Sequence, residues 1–338
     1  MRLIERIWRG EDALSRAARL ALLPAEGAYR AATAARDWLY ERSLLSVHES
    51  AIPVVSIGNL SVGGTGKTPF TAWLAAELLR RGARPAVVLR GYGGDEPLVH
   101  ARLNPAVPVI IEPRRAEGIA RAAQIGATVA VLDDAFQHRS AQRNIDIVLV
   151  AAEQWRERLH LLPAGPWREP LSSLNRASLV VITRKTANAS RVAAIHDAVS
   201  RTAPAVPRAV VHFALSELRS ESGAEKKSLP ISALENRPVV AIAGVAQPDT
   251  FFEQLSRAGA IVTPFSFPDH HGYSAADIER VLATVGASDS MVVCTLKDAV
   301  KLAPIWPATA RSLWYVSQTL QVESGEDALD QILSRLAP

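Results

Sequence analysis

Residues 53–68 read PVVSIGNLSVGGTGKT, and the junction inside this stretch decides the fold. Pro53 to Ile57 is a short apolar run of the kind that forms a buried strand. A glycine-rich turn follows, and then Pro69 with FTAWLAAELLRR, a helical pattern whose start suits proline. Loops at such junctions cradle phosphates: glycines let backbone N–H groups wrap the anion, a lysine reaches the outer phosphates, and a Ser or Thr hydroxyl holds magnesium. Here the loop is Ser61, Val62, Gly63, Gly64, Thr65, Gly66, Lys67 and Thr68; its glycines supply the turn, Lys67 the charge and Thr68 the metal ligand. The usual GxxxxGK spacing has glycine where Ser61 stands, so this is a variant loop.

Outward from the loop, AVVLR, VPVII, TVAVLDD, IDIVLVAA and SLVVIT are further apolar runs separated by helical stretches. That alternation predicts an α/β fold, a P-loop NTPase-like and mostly parallel sheet flanked by helices. Between Pro207 and Ile231, two alternating stretches around a Ser, Gly and Lys rich turn predict a hairpin linker. VVAIAGV, AIVTPFSF, SMVVCTL and SLWYVS then predict a smaller α/β domain with a second sheet, and GEDALDQILSRL a closing helix. The expected division is residues 1–45, N-terminal helices; 46–206, P-loop domain; 207–236, linker; 237–320, smaller domain; and 321–338, C-terminal helix.

From Asp12 to Leu45 apolar residues recur at helical spacing, and Pro24 is expected to split the stretch into two helices. Trp8, Tyr29, Trp38 and Tyr40 lie among arginines, a combination suited to lipid headgroups, although such helices commonly cover a core. The apolar stretch Leu20 to Ala25 is far shorter than the roughly 18 residues that span a bilayer, and charges break up any signal-peptide core. With 338 residues, 48% of them apolar, the chain can bury a large core. Its 38 basic and 34 acidic residues leave a net +4, too diffuse for a nucleic-acid footprint, so no nucleic-acid partner is expected. The single cysteine, Cys294, excludes intrachain disulfides and thiolate metal clusters and fits a reducing compartment.

A phosphate loop needs an acidic partner at the end of a second buried strand, and TVAVLDD supplies Asp133 and Asp134 there. RGYGGDEP, Arg90 to Pro97, places Asp95 and Glu96 at the sheet's carboxyl end, where a carboxylate can accept a hydroxyl proton or bind magnesium. LLPAGPWREP offers Arg168 and Glu169 on a proline-braced loop, and FPDHHGYS offers Asp269, His270 and His271.

Together the segments IGNLSVGGTGKTP, RGYGGDEP, PRRAEG, LDDAFQH, LPAGPWREP, FPDHH and TLKD resemble, in order and over nearly the whole chain, the tetraacyldisaccharide 4'-kinase family, the lipid A kinases of Gram-negative bacteria. The resemblance implies ATP and Mg2+ as cofactors and transfer of the γ-phosphate to the 4'-hydroxyl of an acylated glucosamine disaccharide 1-phosphate. It implies peripheral association with the anionic surface of the inner membrane, at its cytoplasmic face, and no obligate protein partner. Residue by residue, it implies Asp95 as catalytic base paired with His270, and Lys67 on the β and γ phosphates. Thr68, Asp133, Asp134 and Glu96 would hold the metal, and Asn59, Tyr92, Arg114, Gln137, His138, Arg168 and Glu169 would line the substrate region. The loop before GDEP is shorter than in the family pattern, Gly94 running directly into Asp95. The alternative is a P-loop GTPase or ATPase switch acting on a protein partner. Against it stand Val62, where that class carries lysine, and TLKD, which lacks the spacing of a guanine-reading NKxD.

Overall fold

The computed structural model describes residues 3–91, 94–156, 158–221, 227–285 and 289–337. Helices α1 (Leu3–Arg9) and α2 (Ala13–Glu41) precede six strands: β1 (Val54–Asn59), β2 (Pro85–Leu89), β3 (Val109–Ile111), β4 (Val129–Asp133), β5 (Ile145–Ala151) and β6 (Leu179–Arg184). Crossovers carry α3 (Lys67–Arg80), α4 (Glu96–Leu103), α5 (Arg115–Gln124) and, after β6, α6 (Ala189–Thr202). Then come β7 (Arg208–Ser220), β8 (Ser228–Pro230), β9 (Pro238–Ala243), α7 (Pro248–Arg257), β10 (Ile261–Ser266) and α8 (Ala275–Val285). The chain ends with β11 (Met291–Thr295), α9 (Leu296–Leu302), β12 (Leu313–Ser324) and α10 (Glu326–Leu336).

Strands β1, β2, β4 and β5 are apolar runs buried on both faces, as expected of a parallel sheet covered by helices. The order is β10-β9-β11-β12-β7-β6-β5-β1-β4-β2-β3, with β8 paired to β7. β1 lies between β4 and β5, parallel to both. Its carboxyl end is therefore a point where successive connections diverge to opposite sides, which opens a crevice for ligands. Phe70, Leu74 and Leu78 of α3 pack on one face of the sheet beside Leu329, Ile332 and Leu333 of α10, so the C-terminal helix returns to the first half of the molecule.

Two expectations change. The strands after Arg237 do not build a separate sheet; they continue the first one. The join is a ribbon in which β7 pairs antiparallel with β12, while β6 flanks β7 and β11 flanks β12, both parallel. β7 also pairs with β8 over Glu217–Arg219, so the anticipated hairpin exists but is the lesser of the strand's partnerships. Secondly, α2 runs through Pro24 as a single helix. Proline removes one i to i−4 bond and strains the turn before it. The helix is fixed on both sides of that defect. Asp12 caps its start at Ser15, Arg19 reaches back to Ile7 and Gly10, and Glu26, Tyr29, Arg36 and Asp37 bind the body of the protein.

Candidate active site

The phosphate loop leaves β1 at Asn59 and enters α3 at Lys67. Gly66 precedes the helix at φ +87°, a left-handed conformation that favours glycine, and a Cβ there would lie 2.5 Å from the Phe213 ring. No side chain caps α3, so its first N–H groups and the positive end of its dipole are left for an anion. Ser61 replaces the expected glycine without strain, since its φ is not positive. It bridges to Trp167, its hydroxyl donates to Gln154 Oε1 at 3.0 Å, and Val62 N–H donates to Pro166 O at 2.7 Å. The loop is thus pinned to the LLPAGPWREP segment. Thr65 is held by Asn59 Nδ2 at 2.9 Å and by the Thr183 hydroxyl, which donates to its carbonyl at 2.9 Å.

Asp134 sits just past β4 at φ +50° and lies 3.7 Å from Lys67 Nζ and 2.9 Å from Arg168 Nη2. Burial pushes its carboxyl up, but Lys67 and Arg168 outweigh that and hold it at about 2. Arg168 also donates to Asn59 Oδ1, so the guanidinium ties β1 to the acidic pair. Gln137 Nε2 donates to Asn59 O at 2.9 Å, and burial lowers the neighbouring His138.

Asp133 is buried. Its Oδ2 faces His100 Nε2 at 2.9 Å, Arg115 Nη2 donates to its carbonyl at 3.2 Å, and its Oδ1 has no hydrogen-bond partner. Glu96 is pushed up to about 7, first by burial and then by Asp133 and Asp95, against the pull of Lys297 and Lys67. The donor chemistry suits magnesium, which takes one or two carboxylates and completes its shell with water and phosphate oxygens. Thr68, Asp133, Asp134 and Glu96 are all oxygen donors, and Asp133 Oδ1 is an orphaned acceptor.

Asp95 stands at the start of α4, in the half that carries the phosphate loop, with no exposed side-chain surface. Its Oδ1 meets His270 Nδ1 at 3.0 Å; its Oδ2 lies 3.4 Å from Lys301 Nζ and 3.9 Å from Lys297 Nζ. His270 is at φ +58°, and Lys297 Nζ is 3.2 Å from its Nε2 and 3.3 Å from Asp269. An ammonium only donates, so Nε2 accepts, and the imidazole proton lies on Nδ1, pointing at Asp95. Asp298, in the same turn of α9 as Lys297, is buried and accepts from the hydroxyls of Thr295 and Tyr273 and from the Gly244 N–H.

Two residues expected at the substrate region lie elsewhere. Glu169 is wholly buried, its oxygens taken by Arg36 of α2 and by Arg176, so it anchors the N-terminal helix. Arg114 is 76% exposed and pairs with Glu117; the inward arginine of the PRRAEG segment is Arg115. Tyr92 lies outside the described residues. Sequence reading missed Arg115, His100, Lys297 and Lys301. PRRAEG does signal an arginine, and the phase of α5 decides which of the two turns in. TLKD holds Lys297 without stating its role, and Lys301 lies one turn further on. A lone histidine four residues after Glu96 carries no signal at all.

A glycine loop between strand and helix, an acidic pair at the end of the adjacent strand and a buried carboxylate paired with a histidine from the far half define a P-loop phosphotransferase. Comparison with known proteins narrows the class. The chain belongs to the Tetraacyldisaccharide-1-P 4'-kinase family, whose profile matches residues 18–337. A tetraacyldisaccharide 4'-kinase from Anaeromyxobacter sp. (strain Fw109-5) is 38% identical, with 98% of this chain and 96% of the relative covered. One from Halorhodospira halophila is 34% identical over 94% of this chain and 93% of the relative. The crystal structure of LpxK from Aquifex aeolicus in complex with ATP superposes with a TM-score of 0.72 at 27% identity, covering 95% of this chain and 99% of the other. These matches favour the kinase over the switch. Among the described residues no helix is long and apolar enough to cross a membrane.

Proposed function

We propose that this chain transfers the γ-phosphate of ATP to the 4'-hydroxyl of an acylated glucosamine disaccharide 1-phosphate, as a peripheral protein on the anionic cytoplasmic face of the inner membrane. The observation that carries this is Asp95, a buried carboxylate at the start of α4 oriented by the imidazole of His270 and next to Glu96, whose carboxyl feels the charge of Lys67 in the phosphate loop.

Lys67 and the first N–H groups of α3 bind the outer phosphates, and Arg168 exchanges part of its contact with Asp134 for a phosphate oxygen. Thr68, Asp133, Asp134 and Glu96 are the oxygen donors that would hold magnesium, although among the described residues they form no ready-made cluster of three acidic ligands; when bound, the ion would supply neutralisation of the phosphate charge. Asp95 Oδ2 takes the proton of the acceptor hydroxyl as its oxygen bonds to the γ-phosphorus and the bond to the ADP oxygen breaks. His270 Nδ1–H holds Oδ1 meanwhile, and the ammonium groups of Lys297 and Lys301 lie beside Oδ2. Because Asp95 is sealed from solvent by α9 and by the turn bearing His270, the acceptor reaches it only when these move away from α4.

Membrane contact is supported by Ile4, Leu14, Leu20, Leu23 and Trp38, exposed apolar side chains of α1 and α2, with Leu44 and Val47 just beyond. Arg42 stacks over Trp38 at 5.6 Å, an arrangement suited to anionic headgroups. Trp8, Tyr29 and Tyr40 instead face the protein: Trp8 donates to Pro163 O, Tyr29 donates to Arg168 O, and Arg139 covers Tyr40. ATP turnover measured with and without a tetraacylated disaccharide 1-phosphate in mixed micelles tests the proposal. Turnover is expected to depend on the acceptor; an acceptor-independent rate contradicts it.

A further inference from the structure

We propose that His100 is a positioning residue for the metal site: it fixes the carboxylate of Asp133 so that Oδ1 is presented to the divalent cation, and it links that carboxylate to the helix that carries Asp95. The inference rests on reading Asp133 as a metal carboxylate.

His100 lies on α4, whose first turn bears Asp95 and Glu96, and is 2% exposed. Its Nε2 is 2.9 Å from Asp133 Oδ2. A carboxylate only accepts, so Nε2 carries the proton and donates, and a neutral ring suffices. One oxygen of Asp133 is thereby occupied and the other left without a partner. Arg115 holds the Asp133 carbonyl, which fixes the backbone from which the carboxylate projects. The side chain has lost its freedom to rotate before any cation arrives, and the oxygen that remains points to one task. Outer partners of this kind orient metal ligands and contribute about 10–100-fold to metal affinity.

The placement has a second effect. Asp95 and His100 are on one short helix, and α4 packs against α9 of the far half. A displacement of α4 therefore moves the base and the support of the metal carboxylate together.

Binding of Mn2+ to the full-length protein with ADP, followed by electron paramagnetic resonance, tests the link, alongside metal-free ADP binding by calorimetry. His100→Leu, which keeps the volume and removes the donor, is expected to weaken Mn2+ binding about 10–100-fold while metal-free ADP affinity stays within about 2-fold. His100→Gln, which can return an N–H near the Nε2 position, is expected to recover most of the loss. His100→Asn, too short to reach Asp133, replaces the leucine variant should that one not fold. Unchanged Mn2+ affinity in the leucine or asparagine variant overturns the proposal. So does an equal loss of metal-free ADP binding, which marks a merely structural role. Asp133→Asn separates the two levels: if it weakens Mn2+ binding and His100→Leu does not, only the link fails, whereas if neither does, the metal reading of Asp133 fails with it.

Discussion

Asp95 is buried, touched by one imidazole and approached by two ammonium groups, an environment that holds a carboxylate in one orientation. If it is the base, Asp95→Asn keeps the shape and removes the proton acceptor. We expect kcat to fall about 10²–10⁴-fold with ATP affinity nearly unchanged; a parallel loss of ATP affinity, measured by calorimetry, contradicts that role. Glu96 offers a pH test. Unfolded, it titrates near 4.5; folded, near 7, so the folded chain holds the extra proton between those values. The group's contribution to stability is then greatest below its unfolded value and declines as pH rises through 7. Without nucleotide or metal, the melting temperature of Glu96→Gln relative to the parent is expected to rise between about pH 5 and about pH 8. A constant difference refutes the assignment. At this scale the sequence was informative where chemistry is local. Lys67, Asp133 and Asp134 could be singled out because each ends a strand or lies in a dense polar motif, whereas the pairing of Asp95 with His270, which the structure brings to 3.0 Å, came from the family resemblance. Asp134 and His270 both hold positive φ, a cost that functional sites commonly bear, and no sequence pattern announces it.

Among the elements, α2 shows how polar contacts can fasten an amphipathic helix. Glu169 was expected in the substrate region from the family resemblance, yet it lies beneath α2, paired with Arg36 and Arg176. Adjacent residues in an extended loop face opposite ways, and only the packed helix reveals which way is inward. Removing the charge leaves two arginines short of a buried partner. Glu169→Gln is expected to lower unfolding free energy in urea by about 3–5 kcal/mol, with ATP affinity in the folded protein preserved; a neutral change in stability argues against the anchor. The loop before α3 responds differently. Gly66→Ala places a Cβ 2.5 Å from the Phe213 ring at φ +87°, so the loop must shift, and ATP affinity should fall by at least about 10-fold. Unaltered affinity, measured by calorimetry, shows that the cradle tolerates a side chain there. The strands themselves were readable from apolar runs. Their partners were not: β7 and β12 are far apart in the chain, and alternation identifies a strand without naming its neighbour.

Over the whole molecule, one continuous sheet joins the phosphate loop to the half that bears His270, Lys297 and Lys301, so the crevice is built from both. The same body carries exposed Leu14, Leu20 and Trp38, at 71%, 66% and 50% exposure, on the helix that meets the LLPAGPWREP segment. Deleting residues 1–45 would also strip Glu26, Tyr29, Arg36 and Asp37 from their partners, so the clean variant is Leu14→Ser, Leu20→Ser, Trp38→Ser. We expect it to fold, to keep ATP affinity, and to lose sedimentation with anionic vesicles; sedimentation equal to that of the parent contradicts membrane contact through α2. The most direct measurement for the molecule as a whole is transfer of label from γ-labelled ATP to a tetraacylated glucosamine disaccharide 1-phosphate, with the product's new phosphate located by mass spectrometry and NMR. The account predicts a single phosphate added at the 4' position, abolished in Asp95→Asn. Label that appears only as free phosphate, or at another hydroxyl, contradicts it.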